Sequence, residues 1–108
     1  MAEEKIFENK IKRLIQDLGG WHVKYFANRM TKKGIPDILA CISGYFVAIE
    51  VKAQNGKPTD LQMYHAIQIR KSGGFSFVVY PSGFEQLKVF LTGLKNGYFD
   101  TDLPIILK

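Results

Sequence analysis

The segment GIPDILACISGYFVAIEVKA, residues 34–53, decides the fold of this chain. It contains two apolar runs rich in aromatic and β-branched residues, which predict two β-strands. The short connection of Ser43 and Gly44 between them predicts a tight hairpin. Three charged residues nevertheless lie in these runs: Asp37, Glu50 and Lys52. Since a buried charge without a partner costs several kcal/mol, their position requires a functional explanation.

The hairpin places both acidic side chains at one edge of the predicted sheet. Side chains alternate along a strand, so Glu50 and Lys52 point to the same face. Asp37 is near the start of the first strand, opposite the end of the second, where Glu50 is located. The two carboxylates then converge, with Lys52 beside them, and they repel each other unless a cation lies between them.

A hard divalent cation suits this arrangement. Mg²⁺ binds oxygen ligands at ~2.1 Å, commonly one or two carboxylates, and completes its shell with water and substrate phosphate. The backbone carbonyl of Val51 is a candidate for a further ligand, and a nearby lysine can activate water or balance phosphoryl charge. Phosphodiester hydrolysis is the chemistry that needs these parts. The spacing is also compatible with a solvent-exposed salt bridge between Glu50 and Lys52, which contributes ~0–1 kcal/mol.

The flanking sequence predicts a single α/β domain, residues 1–108, with the order α-β-β-β-α-β-α. Apolar residues recur at helical spacing from Phe7 to Leu18, and the two glycines that follow end this helix. Residues 21–27 and 75–80 predict two further strands. Helices before and after a set of strands favour a mixed central sheet flanked by helices.

Two capping-box motifs mark where the other helices begin. TDLQ at residues 59–62 has Thr59 as N-cap and Gln62 at the third helical position, and SGFE at residues 82–85 repeats the pattern. The apolar tail, residues 98–108, either completes the core or covers a partner. We expect the partner, because the helix that ends near residue 95 already closes the predicted core.

Composition limits the function classes. The chain has 108 residues, of which 46% are hydrophobic, so it can bury a core, and 15 Lys and Arg against 10 Asp and Glu give a net charge of +5. This excess favours a polyanionic partner, although it also fits a basic protein without one. The single cysteine, Cys41, excludes an internal disulfide, and with two histidines it makes no zinc site. No run approaches the ~18 apolar residues of a membrane span, and no signal peptide is recognised, so we expect a cytoplasmic protein with no membrane contact.

The combined motifs resemble a known superfamily. GIPD at 34–37, IEVK at 49–52, GKPTDLQ at 56–62 and SGGFSFVVYP at 72–81 are similar to the PD-(D/E)XK nucleases. From Glu8 to Gln62 the chain resembles the small stand-alone VRR-NUC nucleases of phages and bacteria, which in turn resemble archaeal Holliday-junction resolvases. The VRR tripeptide of the family name has no counterpart here. The resemblance implies a restriction-endonuclease-like core, α-β-β-β-α-β, and dependence on Mg²⁺ or Mn²⁺.

The resemblance also implies a set of site residues. Asp37 and Glu50 would bind the metal together with Val51, and Lys52 would assist catalysis. The family has a glutamate on its first helix, which is Glu8 here, acting near the metal or through water; Glu4 is the alternative, and either acid also complements the helix dipole. Gln62 is placed to contact phosphate or water, although its capping box already explains it.

A basic cluster precedes Asp37. Its members are Lys24, Arg29, Lys32 and Lys33. Such a run is often only a solvated loop, but next to a metal site it predicts contact with nucleic-acid phosphates.

These inferences together predict a metal-dependent, structure-selective DNA endonuclease that cleaves branched DNA such as Holliday junctions. Because resolving a junction takes two symmetric cuts, such an enzyme acts as a homodimer. The alternatives are a flap or single-strand nuclease, an inert nucleic-acid-binding module on the same fold, a restriction-type endonuclease, and an enzyme that acts on RNA. The restriction type is disfavoured because no inserted element for major-groove readout is recognised.

Overall fold

Three helices and five strands make up the protein, whose computed structural model describes residues 2–108. The helices are α1 (Ala2–Asp17), α2 (Asp60–Lys71) and α3 (Phe84–Asn96), and a short 3₁₀ turn, Pro81–Gly83, precedes α3. The strands are β1 (Trp21–Lys24), β2 (Ile38–Ile42), β3 (Tyr45–Val51), β4 (Phe75–Val79) and β5 (Ile106–Leu107). Within residues 2–108, no helix is both long enough and apolar enough to cross a membrane.

The strands form one mixed sheet in the order β1-β2-β3-β4-β5. The first three are antiparallel neighbours, whereas β4 runs parallel to β3 and β5 parallel to β4. The predicted hairpin is confirmed: Ile42 pairs with Tyr45, and Ser43 and Gly44 form the turn with positive φ angles of 51° and 87°. Positive φ at both central residues gives the turn a twist that matches that of the flanking strands. The helix α2 provides the crossover that a parallel β3–β4 pair requires.

The two faces of the sheet are covered unequally. Helices α1 and α3 pack on one face, where the alternate residues Ile38, Ala40 and Ile42 of β2 and Val47, Ile49 and Val51 of β3 join the main core. Helix α2 packs on the other face against β3 and β4. Small side chains bring α2 close to the sheet, since the Ser76 hydroxyl donates a hydrogen bond of 2.6 Å to the Ala66 carbonyl. Glu50 lies on this second face, near the beginning of α2.

The two predicted capping boxes have different outcomes. The first is confirmed, because Gln62 N–H donates to the Thr59 hydroxyl at 3.1 Å and Thr59 N–H donates to Gln62 Oε1 at 2.9 Å. The second is wrong: α3 has Gly83 as its N-cap and no side-chain cap. The Ser82 side chain instead accepts a hydrogen bond of 2.9 Å from Gln54, and Ser82 N–H donates to Gln54 at 3.1 Å.

The apolar tail packs on the domain itself, which is one of the two roles that its sequence allows, and its contact with a partner stays a prediction. The tail returns to the domain as β5, with Val78 N–H donating to the Ile105 carbonyl at 2.8 Å and Leu107 fully buried. Arg70 fixes the approach by donating to the Leu103 carbonyl at 2.6 Å. The tail therefore completes the core, and only parts of it, such as Tyr98, remain exposed.

Candidate active site

The predicted carboxylates meet where β2 begins and β3 ends. Asp37 directly precedes β2, and Ile38 pairs with Ile49, so Asp37 lies beside Glu50. Lys52 follows β3, and its backbone N–H donates to Val79 at 3.0 Å, which continues the parallel pairing one residue further. The register of the hairpin therefore produces the convergence, because a slip by one residue would move every side chain of the strand to the opposite face.

The backbone of the neighbouring strand orients Asp37. Its Oδ2 accepts a hydrogen bond of 2.9 Å from Val51 N–H, and its Oδ1 lies 3.4 Å from the Lys24 ammonium. The side chain is partly exposed. Asp37 is thus held in one direction by a rigid element but keeps access to solvent, which a metal ligand at a reaction site needs.

The Glu50 carboxyl has the least favourable electrostatic environment in the site. Its Oε2 accepts a hydrogen bond of 3.0 Å from Gln62 Nε2 and lies 3.4 Å from Lys52 Nζ, whereas its Oε1 is buried without any partner among residues 2–108. Burial, and next the negative charge of Asp37, raise the pKa of the Glu50 carboxyl to about 8, although Lys52 opposes the change. A buried acceptor without a partner costs about 1–3 kcal/mol, so this carboxylate calls for a proton or a cation.

Gln62 combines the predicted capping box with a contact to Glu50, and its contact with phosphate or water stays a prediction. Its carbonyl oxygen accepts the capping hydrogen bond from Thr59, while its amide nitrogen donates to Glu50. The two partners fix the orientation of the amide group, since only one assignment of oxygen and nitrogen satisfies both. The capping box therefore aims Gln62 at the carboxylate rather than competing with that contact.

Glu8 is connected to Asp37 through Lys24, and its carboxylate contacts three lysines. Its side chain is buried, and it pairs with Lys24 at 2.7 Å, Lys12 at 2.8 Å and Lys5 at 3.2 Å. Burial alone would raise the pKa of Glu8, but the hydrogen bonds from these lysines lower it to about 2. Lys24 in turn has a raised pKa, because the contacts with Glu8 and Asp37 outweigh its burial. The structure therefore joins Glu8 to Asp37 through Lys24.

The oxygen donors fit a magnesium-type ion. Within residues 2–108 no group of three or more Asp, Glu, His or Cys side chains is arranged to hold a metal ion. The site offers two carboxylates, Asp37 and Glu50, beside the backbone of Val51. The unpartnered Glu50 Oε1 is available as a ligand atom. Mg²⁺ commonly binds through one or two carboxylates and retains several waters, whereas structural zinc needs four protein ligands.

The basic cluster divides into two parts. Arg29, Lys32 and Lys33 are exposed in the loop between β1 and Asp37. This loop has its own order, because the Tyr25 hydroxyl donates to the Lys32 carbonyl at 2.8 Å. Lys24 differs from the other three: only 21% of its side chain is exposed, and its ammonium points at carboxylates rather than at solvent.

Three lysine contacts were not anticipated from the sequence. Lys5 and Lys12 lie three residues before and four residues after Glu8, a spacing that places side chains next to each other on a helix and that could have revealed them. The contact of Lys24 with Glu8 has no such local signal, because it depends on how α1 packs against β1.

The site therefore combines two adjacent carboxylates, one unpartnered oxygen and a lysine at the end of a rigid hairpin. Such a group can hold a hard divalent cation and place fixed positive charge beside it. Comparison with models of protein families, with curated proteins and with solved structures yields no match to this chain.

Proposed function

We propose that this protein is a metal-dependent, structure-selective endodeoxyribonuclease of the PD-(D/E)XK type, with Mg²⁺ or Mn²⁺ as cofactor. The observation that carries the proposal is the Glu50 carboxylate, which is buried beside Asp37 with one oxygen unpartnered. Such a placement is costly for the folded chain, and a divalent cation between the two carboxylates removes the cost. The strand order also supports it, because three antiparallel strands followed by a helical crossover to a parallel strand are compatible with the proposed restriction-endonuclease-like core.

Each residue of the site has a role in this proposal. Asp37 and Glu50 hold the ion, with the Val51 carbonyl as a further ligand. An ion held by these residues would supply Lewis-acid chemistry, polarising a phosphate and making water a better nucleophile at neutral pH. Lys52, whose ammonium lies 3.4 Å from Glu50, supplies positive charge where the phosphoryl group becomes more negative. Gln62 keeps Glu50 in its orientation.

The basic loop is the proposed contact with DNA. The net charge of +5 favours a polyanion, and Arg29, Lys32 and Lys33 are exposed on a segment that leads directly into Asp37. Phosphates bound by this loop are therefore close to the carboxylates. Contacts of this kind position the backbone without reading sequence, which suits an enzyme that selects DNA by structure.

Resolution of branched DNA requires two active sites, so the proposed enzyme consists of two copies of the chain with one active site each. Since β5 uses the apolar tail internally, we place the interface on the part of the sheet that α2 leaves open. There Trp21, Cys41 and Phe46 are neighbours across β1, β2 and β3, and Trp21 is 65% exposed. Sedimentation equilibrium on the unchanged protein and on Trp21→Lys tests this, and a monomer with junction DNA bound would leave a flap or single-strand nuclease.

A cleavage assay tests the function itself. Labelled four-way junction, flap, splayed-arm, linear duplex DNA and RNA are incubated with the protein and Mg²⁺, Mn²⁺ or EDTA. We expect metal-dependent cleavage of branched DNA, which Asp37→Asn and Glu50→Gln each abolish while DNA binding persists. Glu85→Gln, an exposed carboxyl on α3, is the matched control and should cleave normally. Binding without cleavage under every condition would show an inert nucleic-acid-binding module instead.

A further inference from the structure

Lys24 holds a position between two carboxylates that belong to different elements. Its Nζ lies 2.7 Å from Glu8 Oε1 on α1 and 3.4 Å from Asp37 Oδ1 before β2. The ammonium is thus nearer to Glu8 but also neutralises one of the two proposed metal ligands. No other lysine has a contact with Asp37 among the ion pairs of residues 2–108.

The contacts of the Glu8 carboxylate leave one of its oxygens to Lys24. Its Oε2 receives Lys5 and Lys12, at 3.2 Å and 2.8 Å, while its Oε1 receives Lys24. Within the part of the chain that the structure describes, the ion pairs and hydrogen bonds of the Glu8 carboxylate all go to lysines, and none goes to Asp37 or Glu50. The sequence predicts that the helix-1 acid acts near the metal or through water, and in the structure its carboxylate is joined to Asp37 by way of Lys24.

A divalent cation on Asp37 and the Lys24 ammonium would compete for the same carboxylate. Two positive groups a few ångströms apart repel each other, and at about 6 Å even water-like screening leaves an effect on affinity of about tenfold for a divalent ion. The repulsion falls when Lys24 moves entirely to Glu8 Oε1. Glu8 can accept that move without other rearrangement, since its second oxygen already has its own partners.

We propose that Lys24 and Glu8 form a charge relay that sets the metal affinity of the site. Lys24 neutralises Asp37 when no divalent cation is bound and withdraws to Glu8 when one binds. Glu8 is thus a positioning residue for Lys24 and not a metal contact. This inference rests on the proposed metal site of Asp37 and Glu50.

The measurement is Mn²⁺ affinity without DNA, by electron paramagnetic resonance of free Mn²⁺ at fixed pH and low salt. We expect Lys24→Met to bind Mn²⁺ about tenfold more tightly than the unchanged protein. Glu8→Gln should bind more weakly, because Lys24 then has only Asp37. Lys5→Met is the matched control: it also removes a lysine from Glu8 but leaves Asp37 untouched, and its affinity should change by less than about twofold.

The double variant separates the two possible roles of Glu8. If Glu8 acts through Lys24 and only through space on the ion, Glu8→Gln weakens Mn²⁺ binding by no more than about tenfold in the Lys24→Met background, which is the effect of one charge at about 6 Å. If Glu8 contacts the metal, affinity falls by clearly more than about tenfold in that background, and the inference is refuted. A gain in affinity cannot come from damage to the fold, and Lys24→Gln provides a second variant if Lys24→Met does not fold.

The remaining outcomes are distinguishable. Unchanged or weaker Mn²⁺ binding by both Lys24 variants refutes the relay and leaves the proposed metal site intact. If the unchanged protein binds no Mn²⁺ that depends on Asp37, the proposed function itself fails, and the relay fails with it.

Discussion

Replacement of Glu50 by glutamine should stabilise the protein at high pH when no metal is present. In the folded chain the pKa of Glu50 is about 8, whereas the ordinary value is 4.5. Between pH 4.5 and about pH 8, Glu50 keeps its proton in the folded state, whereas in the unfolded chain it has already lost it. The free energy of unfolding therefore decreases as the pH rises from about 4.5 to about 8, and the loss is complete above that range.

The size of the loss in unfolding free energy follows from the difference between the two pKa values of Glu50. At about 1.4 kcal/mol for each pH unit, a rise in pKa from 4.5 to about 8 corresponds to at most about 5 kcal/mol. Water that enters around the ionised pair reduces this, so we expect a loss of about 2–5 kcal/mol. Glutamine has the shape of the protonated acid and can still accept the hydrogen bond from Gln62, so the variant should lack the decline.

Urea denaturation in EDTA at a series of pH values from about 5 to about 9 measures both curves. The unchanged protein should lose stability across this range, and Glu50→Gln should not. Glu85→Gln, whose carboxyl is exposed, is the control and should follow the unchanged protein. Parallel curves for Glu50→Gln and the unchanged protein would refute the reasoning, because Glu50 would then titrate alike in both states.

Further predictions concern metal, catalysis, DNA and the tail. Mg²⁺ at about pH 9 should raise the melting temperature of the unchanged protein but not that of Glu50→Gln; equal effects would place the ion elsewhere. Lys52→Ala should lower the single-turnover rate at least ~10²-fold, whereas a change in affinity alone would indicate only phosphate binding. Joint replacement of Lys32 and Lys33 by alanine should flatten the dependence of log K on log salt, and an unchanged slope would make them a solvated loop. Gly83→Ala should cost about 2 kcal/mol or more in urea denaturation, because its Cβ would collide with the Leu107 carbonyl; unchanged stability would show that β5 adapts.

Much of the site could be predicted because it depends on a local feature. A two-residue turn fixes the register of β2 and β3, and that register alone brings Asp37 next to Glu50. The capping box at Thr59 likewise determines where Gln62 points. Short-range geometry of this kind is encoded in adjacent residues and can be read without knowing the rest of the fold.

The features that the sequence did not predict are contacts between residues distant along the chain. The strand β5 has two residues and no periodic pattern, and its partner β4 is defined only in the folded sheet. Ser82 has the right spacing for a cap, but the competing partner Gln54 lies 28 residues earlier. The sequence groups Lys24 with the basic residues of the loop, because the packing of α1 against β1 that brings Lys24 to Glu8 has no signal in the local sequence.

The position of β5 after the other four strands in chain order has a consequence for biosynthesis. Until residues 106–107 dock, the outer edge of β4 presents unpaired backbone groups on a segment, Phe75–Val79, without any charge. Exposed, uncharged edges of this kind are templates for aggregation between chains. Because chains are made from the N-terminus, the rest of the sheet is available before this cover exists. The strand β5, which contributes no atom to the active site, thus limits the aggregation of newly made chains.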